Sequence, residues 1–327
     1  MPRKNKLPGE FELIERLVKG IRLTRRTILG PGDDCAILAS SKLPQLLTID
    51  SMLEGAHFRL EWGPPEKLGA KALAVNLSDI AAMGGTPTAC VINLAVREGL
   101  DARFFDRLYA GIRAMAERYD LDVVGGNVTR ADKLAITVAL LGAASRGVTR
   151  RDLARAGDDI FVTGTVGDSS AGLAILIGKR AARGATRKFL VERHLNPTPR
   201  IEAGLALAKL RPTPAAIDLS DGLLQDLGHI LDRSRVGAEI DMSAVPISPA
   251  YLDVMGDDLS LALGGGEDYE LLFCVRPGHR EESLTRALGV PVHRIGRIIK
   301  ERRTVIRDAS GEVVPKLRGW DQLRAST

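Results

Sequence analysis

The chain has 327 residues, 45% hydrophobic and 27% charged, which suits two globular domains and excludes disordered, collagen-like or disulfide-stapled architectures. Forty-six basic and 41 acidic residues leave a net charge of +5, a mild excess that fits an anionic substrate; aromatics at 4% are too few for base-stacking platforms, so no nucleic-acid partner is expected. No run of about 18 apolar residues occurs to span a membrane, and the start, MPRKNKLPGEFELIERL, lacks the apolar core of a signal peptide, so no membrane role and a cytoplasmic location are expected.

Phe11, Ile14, Leu17, Val18 and Ile21 recur at helical spacing and predict an amphipathic helix over 10–21. Gly30-Pro31-Gly32 breaks the chain just before Asp33-Asp34. Residues 45–50 (QLLTID) read as a short strand ending in a carboxylate. Pro64-Pro65 precedes a long Ala- and Leu-rich helix over about 66–83, stopped by Gly84-Gly85. Residues 89–96 read as a buried strand. Phe105, Leu108, Ile112, Met115 and Tyr119 mark a further helix. Val123-Val124 leads into Gly125-Gly126, and 135–141 closes the first half as a strand. The polar, basic stretch 144–158 places a boundary near residue 148, giving domains 1–148 and 149–327. Beyond it, a strand at 159–163 and a helix from about 168 are followed by helices at about 199–210 and 221–234. Strands are predicted at 237–241, 269–275, 293–298 and 304–307. The alternation in both halves predicts two α/β or α+β domains.

Familiar catalytic motifs are missing. Gly172 to Gly178-Lys179-Arg180 has neither the spacing nor the last residue of a P-loop, and GxGxxG, HExxH and GxSxG do not occur. The five histidines show no metal-ligand spacing. Cys35, Cys90 and Cys274 form no CxxC and suit a reducing compartment.

Acidic residues at the ends of elements, next to glycine, are the stronger pattern. Asp33-Asp34 follow a Gly-Pro-Gly turn, and Asp50 ends a strand. Asp218 and Asp221 bracket a strand-to-helix junction, and Glu267-Asp268 follow Gly264-Gly265-Gly266. Singly, each is a good cap or turn residue. Asp79 is different: it shares a helix face with Asn76 among apolar neighbours, where a charge is costly unless paired. Many carboxylates with few His or Cys select a hard cation such as Mg2+, and several Mg2+ ions serve phosphoryl transfer. The turn Thr163 to Ser170 (TGTVGDSS) suits either phosphate contact or a simple helix cap.

GDDCAIL at 32–38, EGAHF at 54–58, KALAVNLSDIAAMGG at 71–85, AIDLSDGLLQDLGHI at 216–230, GGGEDYELLF at 264–273 and GWDQL at 319–323 occur in order. On these motifs the chain resembles the thiamine-monophosphate kinases, of the superfamily that includes aminoimidazole ribonucleotide synthetase. The resemblance runs from about residue 10 to 323. It implies a two-domain α/β (α+β) fold of the aminoimidazole ribonucleotide synthetase type. It also implies a homodimer whose N-terminal domains share a β-barrel, with the active site in a cleft near that interface. The implied reaction moves the γ-phosphoryl group of ATP to thiamine monophosphate with Mg2+. By the same resemblance Asp34, Thr48, Asp50, Asp79, Asp218 and Asp221 are metal ligands, with the Ile49 carbonyl a further donor. Gly126, Asn127, Arg151 and Ser220 fall at nucleotide positions, and His57, Glu267 and Trp320 at substrate positions. Trp320 is suited to stack on the cationic thiazolium or the pyrimidine, or to anchor the C-terminus on the core. His57 fits either a phosphate contact or a strand-end cap. Arg130 and Arg151 suit phosphate oxygens. No general acid or base is assigned, because a phosphate monoester oxygen is already an adequate nucleophile. Two segments depart from the family pattern: Asn127-Val128 stands where the family has aspartate-threonine, and Ile49 where it has threonine. Two other readings remain open, a non-catalytic protein that kept the pocket and another ATP-dependent synthetase of the superfamily.

Overall fold

A computed structural model describes residues 9–32, 35–144, 147–308 and 311–313. The chain packs as two units, Met1–Ile80 with Thr86–Ala144, and Ala81–Gly85 with Ser145–Thr327. No described helix is long and apolar enough to cross a membrane.

The first half contains α1 (Glu10–Val18), β1 (Thr27–Leu29), β2 (Ile37–Leu38), β3 (Gln45–Leu53), α2 (Pro65–Ala82), β4 (Gly85–Val96), α3 (Ala102–Arg118), β5 (Asp122–Arg130) and β6 (Ala135–Ala144). Four strands form a sheet in the order β3-β6-β4-β5, so β3 is an edge strand. β3 and β6 are antiparallel, while β4 and β5 are parallel. Ile136, Val138 and Leu140 alternate into a core that also takes Leu73, Leu77 and Ile80 of α2 and Phe105, Leu108 and Ile112 of α3. α2 and α3 cross backbone to backbone. A Cβ on Gly69 would lie 2.0 Å from the Leu108 carbonyl oxygen, and one on Gly111 would lie 1.8 Å from that of Glu66. The Arg107–Glu66 pair, at 2.6 and 2.9 Å, clips the rim of this crossing.

Several boundaries move from their expected places. α1 ends at Val18 rather than Ile21, because Gly20 turns the chain at φ +80°. β3 runs through Asp50 to Leu53, carried by buried Met52, so Asp50 sits inside the strand and not at its end. β4 starts at Gly85 rather than 89. Its pairing with β5 begins only at Ala89, so Pro87 lies where no β5 partner needs its missing N–H.

The second half contains β7 (Asp159–Thr163), α4 (Asp168–Leu176), α5 (Gly184–Leu195), α6 (Ile201–Leu207), β8 (Ala215–Asp218), α7 (Leu223–Ser234) and β9 (Gly237–Asp241). It continues with α8 (Pro249–Met255), α9 (Ser260–Gly264), β10 (Leu271–Val275), α10 (Glu281–Leu288), β11 (Val292–Ile299), β12 (Thr304–Asp308) and β13 (Gly311–Val313). The sheet order is β13-β12-β9-β11-β7-β10-β8, antiparallel except for the β9–β12 pair. Every residue of β7, β8 and β10 is buried, which is why these runs lack an alternating pattern. Ile160, Val162, Ile217 and Leu272 pack with Leu223, Leu227 and Ile230 of α7 and Tyr251 of α8. Phe161 and Phe273 alternate to the opposite face and stack at 5.7 Å. The sequence gives no sign of α5, because only Leu190 and His194 of that helix are buried and its apolar residues trace no stripe.

Candidate active site

In the first unit the candidate groups sit on three strands and one helix. Alternation along β3 puts Thr48 and Asp50 on one half-buried face with Met52, and turns the Ile49 side chain, 65% exposed, to the other. Position 49 therefore offers a metal only its carbonyl, and alternate carbonyls of an edge strand point away from the sheet. On α2, every residue from Lys71 to Ala82 is buried except Asp79, which is half-buried. The Thr48 hydroxyl donates a short hydrogen bond to Asp79 Oδ2, joining β3 to α2. Asn76, one turn earlier, donates Nδ2 to the Ala72 carbonyl at 3.1 Å.

On β5, a Cβ at Gly126 would lie 2.1 Å from the Ile92 carbonyl oxygen, so glycine is what lets β5 close on β4. The next residue, Asn127, is exposed and donates Nδ2 to Asn93 Oδ1 at 2.9 Å, across the register that pairs the two. Its own carbonyl oxygen is thereby turned away from Asn93. Asn93 was not foreseen; only the strand register reveals it. His57 Nδ1 accepts the Leu53 N–H at 3.1 Å, the geometry of a strand-end cap, which leaves the ring proton on Nε2. Arg130 is exposed and paired with Glu98. Asp34 and Trp320 lie outside the described residues.

In the second unit Asp218 ends β8, 3% exposed. The turn after it is organised by an acid that sequence reasoning did not single out. Asp226 Oδ2 accepts the backbone N–H groups of Ser220, Asp221 and Gly222 at 3.1, 3.1 and 3.0 Å. Burial pushes the Asp226 carboxyl up to about 7, with the backbone donors opposing and the neighbouring Asp221 charge reinforcing. Asp221, Asp226 and His229 each offer a ligand atom within 4.8 Å of the others. The Ser220 carbonyl accepts the Glu267 N–H at 2.8 Å, tying this turn to the one after the three glycines. Arg151 is exposed, and its carbonyl accepts the Ser234 hydroxyl at 2.7 Å.

The segment Glu267 to Glu270 sends its acids in different directions. Asp268 accepts the N–H groups of Gly167 and Ser169, at 2.6 and 3.1 Å, so a carboxylate of the chain itself fills the N-terminus of α4. The turn Thr163 to Ser170 therefore takes the capping alternative. Burial pushes the Asp268 carboxyl up to about 7 against the pull of Arg193 and the two N–H donors. Glu270, fully buried, accepts from Thr163 at 2.7 Å, Arg193 at 2.9 Å, and Arg200 at 2.7 and 2.5 Å.

This architecture defines the class: residues 32–144 match the family described as AIR synthase related protein, N-terminal domain, and residues 155–309 match its C-terminal domain. Within that class, the chain is 41% identical to thiamine-monophosphate kinase of Salmonella typhimurium, over 89% of this chain and 90% of the relative. A solved thiamine-monophosphate kinase from Stenotrophomonas maltophilia superposes with a TM-score of 0.80 at 35% identity, covering 93% of this chain and 96% of that one. The structure of AaThiL complexed with AMPPCP and TMP gives 0.75 at 34% identity, covering 95% and 96%. The chain belongs to the thiamine-monophosphate kinase family.

Proposed function

We propose that this protein transfers the γ-phosphoryl group of ATP to thiamine monophosphate, giving thiamine diphosphate and ADP. The observation that carries the reading is the identity of 41% across nine-tenths of a thiamine-monophosphate kinase, with the acidic motifs in place. A terminal phosphate oxygen of thiamine monophosphate attacks the γ-phosphorus, the bond from that phosphorus to the β,γ-bridging oxygen breaks, and ADP leaves. The attacking oxygen is already anionic near neutral pH, so no side chain need remove a proton. The work left to the protein is positioning and charge neutralisation.

The donor set fits Mg2+: carboxylates, a hydroxyl and an amide, all hard oxygen ligands, with Thr48 and Asp79 already joined. On the first unit Asp50, Asp79 and Thr48, with Asp34 and the Ile49 carbonyl, would hold Mg2+; on the second unit the candidate ligands are Asp218 and Asp221. When bound, Mg2+ neutralises charge on the nucleotide phosphates as the γ-phosphoryl group moves. Asn127 would offer its amide oxygen. Gly126, Ser220 and Arg151 would meet the nucleotide. His57, whose Nε2–H is a donor, would meet the substrate phosphate. Glu267 and Trp320 would meet the thiamine moiety.

The homodimer and the cytoplasmic location belong to the same proposal. Leu47 and Ile49, 74% and 65% exposed, line one face of the edge strand β3, an apolar surface suited to sheet-to-sheet closure with a second copy. Incubation with ATP, Mg2+ and thiamine monophosphate should yield thiamine diphosphate. No product at saturating Mg2+, with the ligands still binding, would leave the non-catalytic reading instead.

A further inference from the structure

Glu267 is fixed at both ends. Its backbone takes φ +68°, a left-handed conformation that non-glycine residues rarely adopt, and is held there by the N–H bond to Ser220. Its side chain, 25% exposed, meets a buried histidine that the sequence reading set aside. His194, in the last turn of α5, places Nδ1 3.3 Å from Glu267 Oε2 and 3.1 Å from Ser169 Oγ. The carboxylate decides the tautomer: a bare Nδ1 lone pair facing it would repel, so Nδ1 carries the hydrogen and donates toward Glu267. Ser169 is itself pinned, its N–H on Asp268. Arg193, the preceding residue of α5, bonds Glu270. The end of α5 thus grips the 267–270 segment twice, and only the His194 contact reaches the half-exposed acid. A strained residue whose carboxylate is steered by a buried partner is arranged for a ligand, because an ordinary surface turn needs neither.

We propose that His194 is a positioning residue for substrate binding: it holds the Glu267 carboxylate in the orientation that meets the cationic, amine-bearing thiamine moiety of thiamine monophosphate. This rests on the reading of Glu267 as a substrate contact. His194 touches no reacting atom, so its effect falls on affinity for one substrate.

The test is steady-state kinetics of the full chain with both substrates varied. His194→Gln moves the side-chain nitrogen toward the Nε2 position and should raise KM for thiamine monophosphate about tenfold while KM for ATP stays put. His194→Asn puts an N–H donor where Nδ1 lies and should recover most of that loss. Glu267→Gln should raise the same KM, and His194→Gln should add little on top of it, because the two act through one contact. If the Gln variant does not fold, Ser169→Ala, which loosens the imidazole, should move KM for thiamine monophosphate in the same direction by about two- to threefold. Equal rises in both KM values, no rise at all, or independent effects in the double variant overturn the role of His194. If Glu267→Gln leaves KM for thiamine monophosphate unchanged, Glu267 is no substrate contact and both readings fall. If Glu267→Gln raises it and His194→Gln does not, only the role of His194 falls.

Discussion

Asp226, Asp268 and Glu270 in the second unit are at most 4% exposed, and each accepts hydrogen bonds from backbone N–H groups, hydroxyls or guanidinium groups of the chain. Asp50 and Asp79 in the first unit are half-buried, and water reaches both. The residue types are the same and the settings differ. A carboxylate surrounded by the protein's own donors fixes loops. One left accessible on a regular element, beside a hydroxyl such as Thr48, is placed to take a ligand. Acidic motifs alone therefore do not separate the two kinds of work; the chain's own donors around each carboxylate do.

Removing an accessible acid should break the chemistry and spare the fold. Asp79→Ala or Asp50→Ala should lower turnover by about a thousandfold or more while thermal unfolding stays close to wild type. Near-normal product formation in either would erase the distinction from the first side. Removing a buried acid should do the reverse. Glu270→Gln leaves Arg193 and Arg200 without their shared anion and should cost about 3 kcal/mol in denaturant unfolding. A variant as stable as wild type would erase the distinction from the other side.

A smaller effect sharpens the contrast through pH. The Asp268 carboxyl is raised by burial from the ordinary range to about 7, so the folded state binds a proton that the unfolded state releases near pH 4. Its contribution to stability is full below about pH 4 and is lost as pH rises through about 7. Asp268→Asn cannot titrate, so the stability of wild type relative to this variant should fall across that window in unfolding measured at stepped pH. A flat difference would mean the carboxylate is ionised throughout. The smallest effect concerns Asn127. Asn127→Asp adds a negative charge with almost no change of size, and Asn93 can turn its amide to donate. The Mg2+ titration of activity should move to lower concentration by about two- to tenfold. Superimposable titrations would mean that position 127 does not face metal.

Much of this fold was legible in the sequence where local pattern and tertiary role coincide. The apolar spacing of Phe105, Leu108 and Ile112 marks α3, and 159–163 reads directly as β7. One missed segment, α5, meets distant partners. At its end Arg193 and His194 meet Glu270 and Glu267, more than 70 residues away, and no local stripe reports that. The extra residues of β3 come from pairing with β6, and those of β4 precede its first β5 partner and lie where β6 is its other neighbour, contacts that a linear reading does not contain. For the site, the motifs indicated which acids to examine but not which ones the chain consumes. Asp268 stood beside Glu267 as one more acid in the motif, and only the N–H groups of Gly167 and Ser169 reveal its task. The contact of Thr48 with Asp79 spans 31 residues and rests on the crossing of a strand with a helix.

The crossing of α2 and α3 bears on how this chain tolerates change. Gly69 and Gly111 are not among the candidate site residues, yet a single added methyl at either would meet a main-chain carbonyl at about 2 Å. Relief would have to come from sliding one helix off the other, and Asp79 travels with α2. A directed-evolution library that randomised these two glycines would lose alignment of the acidic site as surely as one that randomised the acids. Both belong among the fixed positions of any redesign.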